Sequence, residues 1–325
     1  MKSKILFFDL KKVEEEFFYT HQKFDCYDIK FFKESLNEDN LDKIPKEDFE
    51  NAMVLSVFTS SKLSANVLDK FKNLRLISTR STAFDHIDLE YCISRNIMVL
   101  NVDSFGSSSV AQFTIMLMLM LVRNITMVLN QTNFKDFRFN SLTGRNLNEL
   151  TLGVVGTGAI GSSVAKIANS FGMKVLAYDI KPKQDLVEHF CITYTDLESL
   201  LKHSDIVSLH IPYANNSIHL LDEKNLEKMK NNSYLINVSN INLIDTLALL
   251  NFAKSGKFKG IALDVALSEQ CHQLADTLNE LKALKNVIIT PHIAYDTKES
   301  LHTILENCCE GISDALSGGF KHRII

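Results

Sequence analysis

The sequence is short of the features that would take it outside ordinary globular folding. It has no excess of either charge: 35 Lys and Arg stand against 39 Asp and Glu, for a formal net charge of −4. There is thus no basic footprint for nucleic acid or for an anionic membrane surface, and neither partner is expected. Long apolar runs are missing too. The most apolar stretch, Phe113 to Val122, is about half the length a bilayer span requires. It is expected to be a buried core helix at 110–124. The six cysteines (Cys26, Cys92, Cys191, Cys271, Cys308, Cys309) include no C-x-x-C pair. That disfavours a metal site and a disulfide framework alike, and favours a reducing cytoplasm. The opening MKSKILFFDLKK carries too short an apolar run for a signal peptide and reads as a first buried strand. Internal repeats and low-complexity segments are absent.

What remains is a chain of 325 residues, 46% apolar and 23% charged, enough for two domains with full cores. Residues 1–100 alternate strand-like segments (Ile5–Phe8, Met53–Val57, Leu74–Ser78) with helix-like ones (Val13–Thr20, Ser64–Lys70). Such alternation implies a parallel α/β sheet.

The most informative stretch is 151–179. A buried-strand pattern at Leu152, Val154 and Val155 runs into Gly156, Gly158 and Gly161 in G-x-G-x-x-G spacing. An apolar-periodic helix and a second strand follow, and that strand ends on Asp179. In this context Gly156 permits a tight turn, Gly158 lets backbone approach a pyrophosphate, and Gly161 lets the helix pack on the strand. The helix start aims unpaired N–H groups at phosphate oxygens. Asp179 falls where a carboxylate binds adenine-ribose hydroxyls and repels a 2′-phosphate, which favours NAD over NADP.

Beyond Asp179, strand after strand ends in polar groups: His210-Ile211-Pro212, Ser239-Asn240, Asp264, and Thr290-Pro291-His292. In a doubly wound sheet these ends share one edge, and that edge is the site. The helical stretch Lys298–Ser317 has no strand after it and is expected to return to the first domain. The nucleotide domain, 101–297, is then an insertion, with 1–100 plus 298–325 forming a substrate domain. Met116, Met118 and Met120 read as core packing or a dimer face rather than a metal box, and no metal is expected.

In order along nearly the full chain, STRSTAFDHIDL, LTLGVVGTGAIG, HIP, LINVSN, ALDV-x-x-x-E and TPHI resemble the D-2-hydroxyacid dehydrogenases, the family of D-lactate and phosphoglycerate dehydrogenases. The resemblance implies two Rossmann-like domains with a cleft between them, the nucleotide domain inserted into the other. It also implies NAD(H), a small 2-keto or 2-hydroxy acid as substrate, and a homodimer built on the helix at 110–124 and the arm after it. Carried over residue by residue, the acid/base histidine is His292 and its acidic partner Glu269. The loop that holds the substrate carboxylate is at Thr82 and Ala83. The cofactor site takes in Gly156, Gly158, Ala159, Ile160 and Asp179. Further along it takes in His210, Pro212, Val238, Ser239 and Asp264, the last at the nicotinamide end. Imidazole suits proton transfer near neutrality, and a carboxylate on its far nitrogen fixes the tautomer.

Three positions depart from the family pattern. Its catalytic arginine, expected after Ser239, is Asn240, followed by Ile241 where glycine is usual; V-A-E-H reads Val110-Ala111-Gln112-Phe113; and a substrate-side tyrosine reads Phe105. A guanidinium clamps a 2-keto carboxylate bidentately, which asparagine cannot do. The expected function is NAD(H)-dependent interconversion of a 2-keto acid and a D-2-hydroxy acid, with Arg80 or Asn240 itself in the arginine's place. Two alternatives stay open: a reductase of a carbonyl substrate without the usual carboxylate, and a silent NAD-binding relative with a structural or sensing role.

Overall fold

Strand–helix alternation builds two separate parallel sheets. The computed structural model describes residues 4–20, 27–102, 106–131, 143–214, 217–265 and 272–325. The chain divides into two units, Met1–Phe105 with Thr297–Ile325, and Gly106–Asp296. The sequence placed these divisions at 100/101 and 297/298.

In the first unit, β1 (Lys4–Phe7), β2 (Asp28–Phe31), β3 (Ala52–Val57), β4 (Leu76–Thr79) and β5 (Met98–Leu100) pair in parallel. Their order is β2-β1-β3-β4-β5, a doubly wound arrangement. The strand β2 was not expected. Its sequence, DIKF, has no apolar run and is only part-buried. It is tied to β1 through charge instead: buried Asp48 accepts from Lys4 at 2.7 Å and from Lys30 at 2.5 Å. The helix Lys298–Leu316 buries Ile304, Leu305, Cys308 and Ile312 and packs on β4. The chain end then returns to β5, where Ile324 N–H donates to the Val99 carbonyl at 2.8 Å.

The second unit holds β6 (Thr151–Val155), β7 (Lys174–Tyr178), β8 (Thr193–Tyr194), β9 (Ile206–Leu209), β10 (Ser233–Asn237), β11 (Phe258–Asp264) and β12 (Val287–Thr290). The order is β12-β11-β10-β9-β6-β7-β8. Connections run outward in both directions from the β6/β9 pair, so the topological switch point lies there. The central strands are near-continuous apolar runs because both faces are covered. The helices Ser107–Val122 and Ala159–Ser170 pack together on one face, and Thr246–Lys254 covers the other. The helix expected at 110–124 runs Ser107–Val122 instead. Asn124, at φ 53°, breaks it, and a second helix, Ile125–Gln131, follows. No helix among the described residues is long and apolar enough to cross a membrane.

The glycine turn after β6 sets how closely strand and helix approach. Gly156 sits at φ +91°, and a Cβ on Gly161 would lie 1.9 Å from the Gly156 carbonyl oxygen. A Cβ on Gly158 would meet nothing within 4 Å. The two glycines therefore have separable roles. Gly161→Ala is expected to cost about 1–3 kcal/mol of stability, the usual range for overpacking, in urea denaturation. Gly158→Ala should leave the unfolding midpoint unchanged while losing NADH binding. Equal destabilisation by both would refute the assignment.

Candidate active site

Because all the strands of the second sheet run parallel, the residues that follow them collect on its carboxyl edge. Gly156 follows β6, Asp179 follows β7 and His210 lies just beyond β9. Asp264 ends β11, and Asn240 and His292 lie just beyond β10 and β12. Nucleotide-type groups thus occupy one half of the edge and chemistry-bearing groups the other.

At the switch point, Gly158 and Ala159 are exposed. The amides of Ala159 and Ile160 donate to no described residue, as expected at a helix start open to an anion. Asp179 accepts from Thr157 N–H at 2.6 Å, the Thr157 hydroxyl at 3.0 Å and Lys181 N–H at 2.8 Å. Burial works to raise the Asp179 pKa. The hydrogen bonds from Lys181 and Thr157, with the charge of Lys183, outweigh burial and hold it below the ordinary carboxylate value. His210 packs under the turn: a Cβ on Gly156 would lie 2.8 Å from its carbonyl oxygen. Its Nε2 pairs with Ser208 Oγ at 2.8 Å, while its buried Nδ1 has no partner among the described residues. Burial pushes its pKa down to about 3, so the imidazole is neutral. Pro212 is exposed beyond it, and Val238 is buried at the end of β10.

In the other half, His292 holds a left-handed backbone, φ 52°, which costs a residue with a Cβ about 1–2 kcal/mol. Asp264 keeps it there. Its fully buried carboxylate accepts from the Thr290 hydroxyl at 2.6 Å, Ile293 N–H at 2.9 Å and Ala294 N–H at 2.8 Å. Those three donors bracket His292, whose exposed ring lies 6.2 Å from that of Tyr295, edge to face. Asp264, expected at the nicotinamide, thus has its carboxylate engaged in clamping the histidine turn. Asn237, fully buried, shapes the neighbouring loop by accepting from Ser239 N–H at 2.9 Å and donating to the Asn240 carbonyl at 3.0 Å. Ser239 Oγ donates to the Leu209 carbonyl at 3.2 Å. The Asn240 side chain accepts from Asn242 N–H at 2.9 Å, capping a short helical turn. Its Nδ2 donates to no described residue. Glu269 and Phe105 lie outside the described residues.

In the first unit, Thr82 and Ala83 are exposed after β4, and neither amide donates to a described residue. The Thr82 hydroxyl and the Asn101 amide brace the loop, to the Val102 and Thr82 carbonyls at 3.2 and 3.1 Å. Arg80 requires a correction. It is 0% exposed; its guanidinium donates to Ser56 Oγ at 3.0 Å and to the Phe8 and Asp9 carbonyls at 2.6 and 3.3 Å, with Glu14 3.9 Å away. A group committed to those acceptors ties β1, β3 and β4 together and does not replace the missing arginine.

The family model for the NAD-binding domain of D-isomer-specific 2-hydroxyacid dehydrogenases matches residues 115–294. The chain belongs to the D-isomer-specific 2-hydroxyacid dehydrogenase family. It is 36% identical over 271 residues to the D-specific alpha-keto acid dehydrogenase of Enterococcus faecium, covering 80% of this chain and 82% of that one. To the glyoxylate reductase of Thermofilum pendens it is 37% identical over 271 residues, covering 82% and 79%. Among solved structures, the D-lactate dehydrogenase of Aquifex aeolicus complexed with NAD and lactic acid superposes with a TM-score of 0.88, at 34% identity over 98% of both chains.

The residues present fit the NAD of this dehydrogenase family. The open space over Gly158, the unpaired amides at the helix start and the ionised Asp179 together make a cradle for a pyrophosphate and a ribose. Sequence reasoning missed Thr157, Tyr194 and Asn237, which shape this edge from beneath. Thr157, inside the G-x-G, carried a signal by position; the others carried none.

The buried histidine gives this dehydrogenase a pH dependence with a definite sign. An unfolded histidine takes up a proton near pH 6.5, whereas His210 resists protonation until about 3. The unfolded state then binds more protons, so stability falls as the pH drops below about 6.5. His210→Gln is expected to flatten urea stability against pH by up to about 1.4 kcal/mol per unit between about pH 4 and 6. An unchanged slope would refute that origin.

Proposed function

We propose that this chain reduces a 2-keto acid to the D-2-hydroxy acid, and performs the reverse oxidation, with NAD(H) on the second unit and His292 as the acid/base. The observation that carries the reading is the Asp264 clamp, which holds His292 in a strained left-handed turn at the carboxyl end of β12. Residues kept in such conformations concentrate where chemistry requires them. Support comes from relatives named as a D-specific alpha-keto acid dehydrogenase, an aromatic 2-oxoacid reductase and a D-lactate dehydrogenase.

Bound NAD(H) supplies the hydride in reduction and accepts it in oxidation. The chain's own residues do the rest. Gly156, Gly158, Ala159 and Ile160 receive the pyrophosphate, and Asp179 the ribose. The amides of Thr82 and Ala83 take the substrate carboxylate, which makes the first unit the substrate unit. His292 gives its proton to the keto oxygen during reduction and takes it back during oxidation, with Glu269 as its acidic partner. Asn240 offers the reacting oxygen one neutral hydrogen bond through Nδ2. A charge-assisted bond contributes about 1.5–3 kcal/mol against about 1 for a neutral one, so Asn240 leaves the site weaker than an arginine would. The helices Ser107–Val122 and Ile125–Gln131, with Met116 and Leu129 exposed at 41% and 70%, supply the homodimer face. The thiols of Cys92, Cys191 and Cys308 suit a reducing cytoplasm.

Steady-state kinetics on position 240 tests this directly. Asn240→Arg is expected to raise kcat/KM for pyruvate by roughly 10-fold or more, while losing the cap to Asn242 and about 1 kcal/mol of stability. His292→Ala should abolish turnover in both backgrounds. An active protein indifferent to His292→Ala would overturn the assignment.

A further inference from the structure

Beneath the Asp179 carboxylate lies a hydrogen-bonded relay that the proton chemistry does not use. It runs head to tail: Lys183 N–H donates to Tyr194 Oη at 3.0 Å, Tyr194 Oη to Thr157 Oγ1 at 2.8 Å, and Thr157 Oγ1 to Asp179 Oδ2 at 3.0 Å. Thr157 N–H reaches the same Oδ2 at 2.6 Å, and Lys181 N–H reaches Oδ1 at 2.8 Å. Thr157 is 0% exposed. The Lys183 side chain braces the same turn, with Nζ 3.0 Å from Ser162 Oγ and 3.3 Å from the Gly158 carbonyl.

The arrangement is directional. An ionised carboxylate offers about four acceptor positions. Two are filled on Oδ2 and one on Oδ1, so the position left open is on Oδ1. The hydroxyl of Thr157 also fixes the carboxylate's rotation, because it and the Thr157 amide approach one oxygen from a buried residue. Tyr194 in turn sets the direction of the Thr157 hydroxyl by donating to it.

We propose that Thr157 and Tyr194 are positioning residues that set the discrimination of this site against a 2′-phosphorylated dinucleotide, by fixing the orientation of the Asp179 carboxylate and presenting Oδ1. This rests on the assignment of Asp179 to the adenine ribose. A ribose hydroxyl donates to Oδ1. A 2′-phosphate brings only acceptor oxygens and up to two negative charges, so it meets an anion that can neither turn aside nor readily take up a proton. Without the Thr157 hydroxyl the carboxylate is held by the Thr157 and Lys181 amides alone, and its orientation is less tightly fixed against a phosphate. The relay thus acts on the ratio of two affinities rather than on either alone.

The test is fluorescence titration of the full chain with NADH and with NADPH, alongside the melting temperature of each variant. Thr157→Val keeps the volume and removes the hydroxyl. It is expected to weaken NADH about 10-fold and leave NADPH unchanged or tighter, so that the ratio falls at least 10-fold. Thr157→Ser, which restores the hydroxyl, should keep NADH affinity within about 2-fold of wild type, and Tyr194→Phe should lower the ratio about 3-fold. A Thr157→Val protein that binds NADH like wild type overturns the relay while leaving the cofactor site standing. So does one in which both affinities fall together in step with the melting temperature. A wild type that binds no NADH overturns the cofactor assignment itself, and the relay with it.

Discussion

The constraint on which the molecule depends is the common direction of the strands in its second sheet. Parallel pairing from β12 through β8 brings every strand's carboxyl end to one edge, although the residues gathered there span 156 to 292. Reversing any central strand would send its terminal polar group to the opposite edge. The close approach at the glycine turn is the local expression of this constraint. With Gly156 and Gly161 in contact, the helix Ala159–Ser170 starts directly over the strand end and presents its first amides to the edge. Burying the strands on both faces stabilises that geometry, and the apolar runs of β6, β9, β10 and β11 make it possible.

Polar groups hold the functional turns, each through a hydrogen-bonded carboxylate or a buried cation. Asp264 grips the strained backbone of His292, Asp179 is gripped by the glycine turn, and Arg80 ties three strand ends of the first sheet together. A buried charge left without partners would cost several kcal/mol; the carboxylate of Asp264 has three donors, and the Arg80 guanidinium gives its terminal nitrogens to three oxygens. That engagement gives them unique orientations. It also commits the Arg80 guanidinium to acceptors inside its own sheet.

Much of this was legible in the sequence, for physical reasons that differ by element. The Gly156–Gly161 turn and Asp179 could be read because only glycine tolerates the contacts there and because strand and helix patterns flank them. The strands β3, β6, β9 and β10 announced themselves as apolar runs. By contrast, β2 is held by Lys4, Asp48 and Lys30, and an ion pair between distant positions leaves no periodic trace. The long helix's end at Asn124 rests on one left-handed residue, which pattern alone does not reveal. Arg80 looked available because it adjoins the Thr82–Ala83 loop, and sequence adjacency says nothing about burial. The relay through Tyr194 joins residues 37 positions apart, so it becomes visible only once β6, β7 and β8 lie side by side.

The departure at Asn240 gives the proposed chemistry its sharpest test, since asparagine is a neutral donor at the position where the family pattern has a charged arginine. The most direct measurement is NADH oxidation by the wild-type protein against a series of 2-keto acids (glyoxylate, pyruvate, phenylpyruvate, 2-ketoisocaproate), with chiral analysis of the product. Turnover of at least one of them, with the D-2-hydroxy acid as product where the product is chiral, is the expected result. Tight NADH binding with no turnover of any keto acid, or formation of the L-isomer, would contradict the assignment.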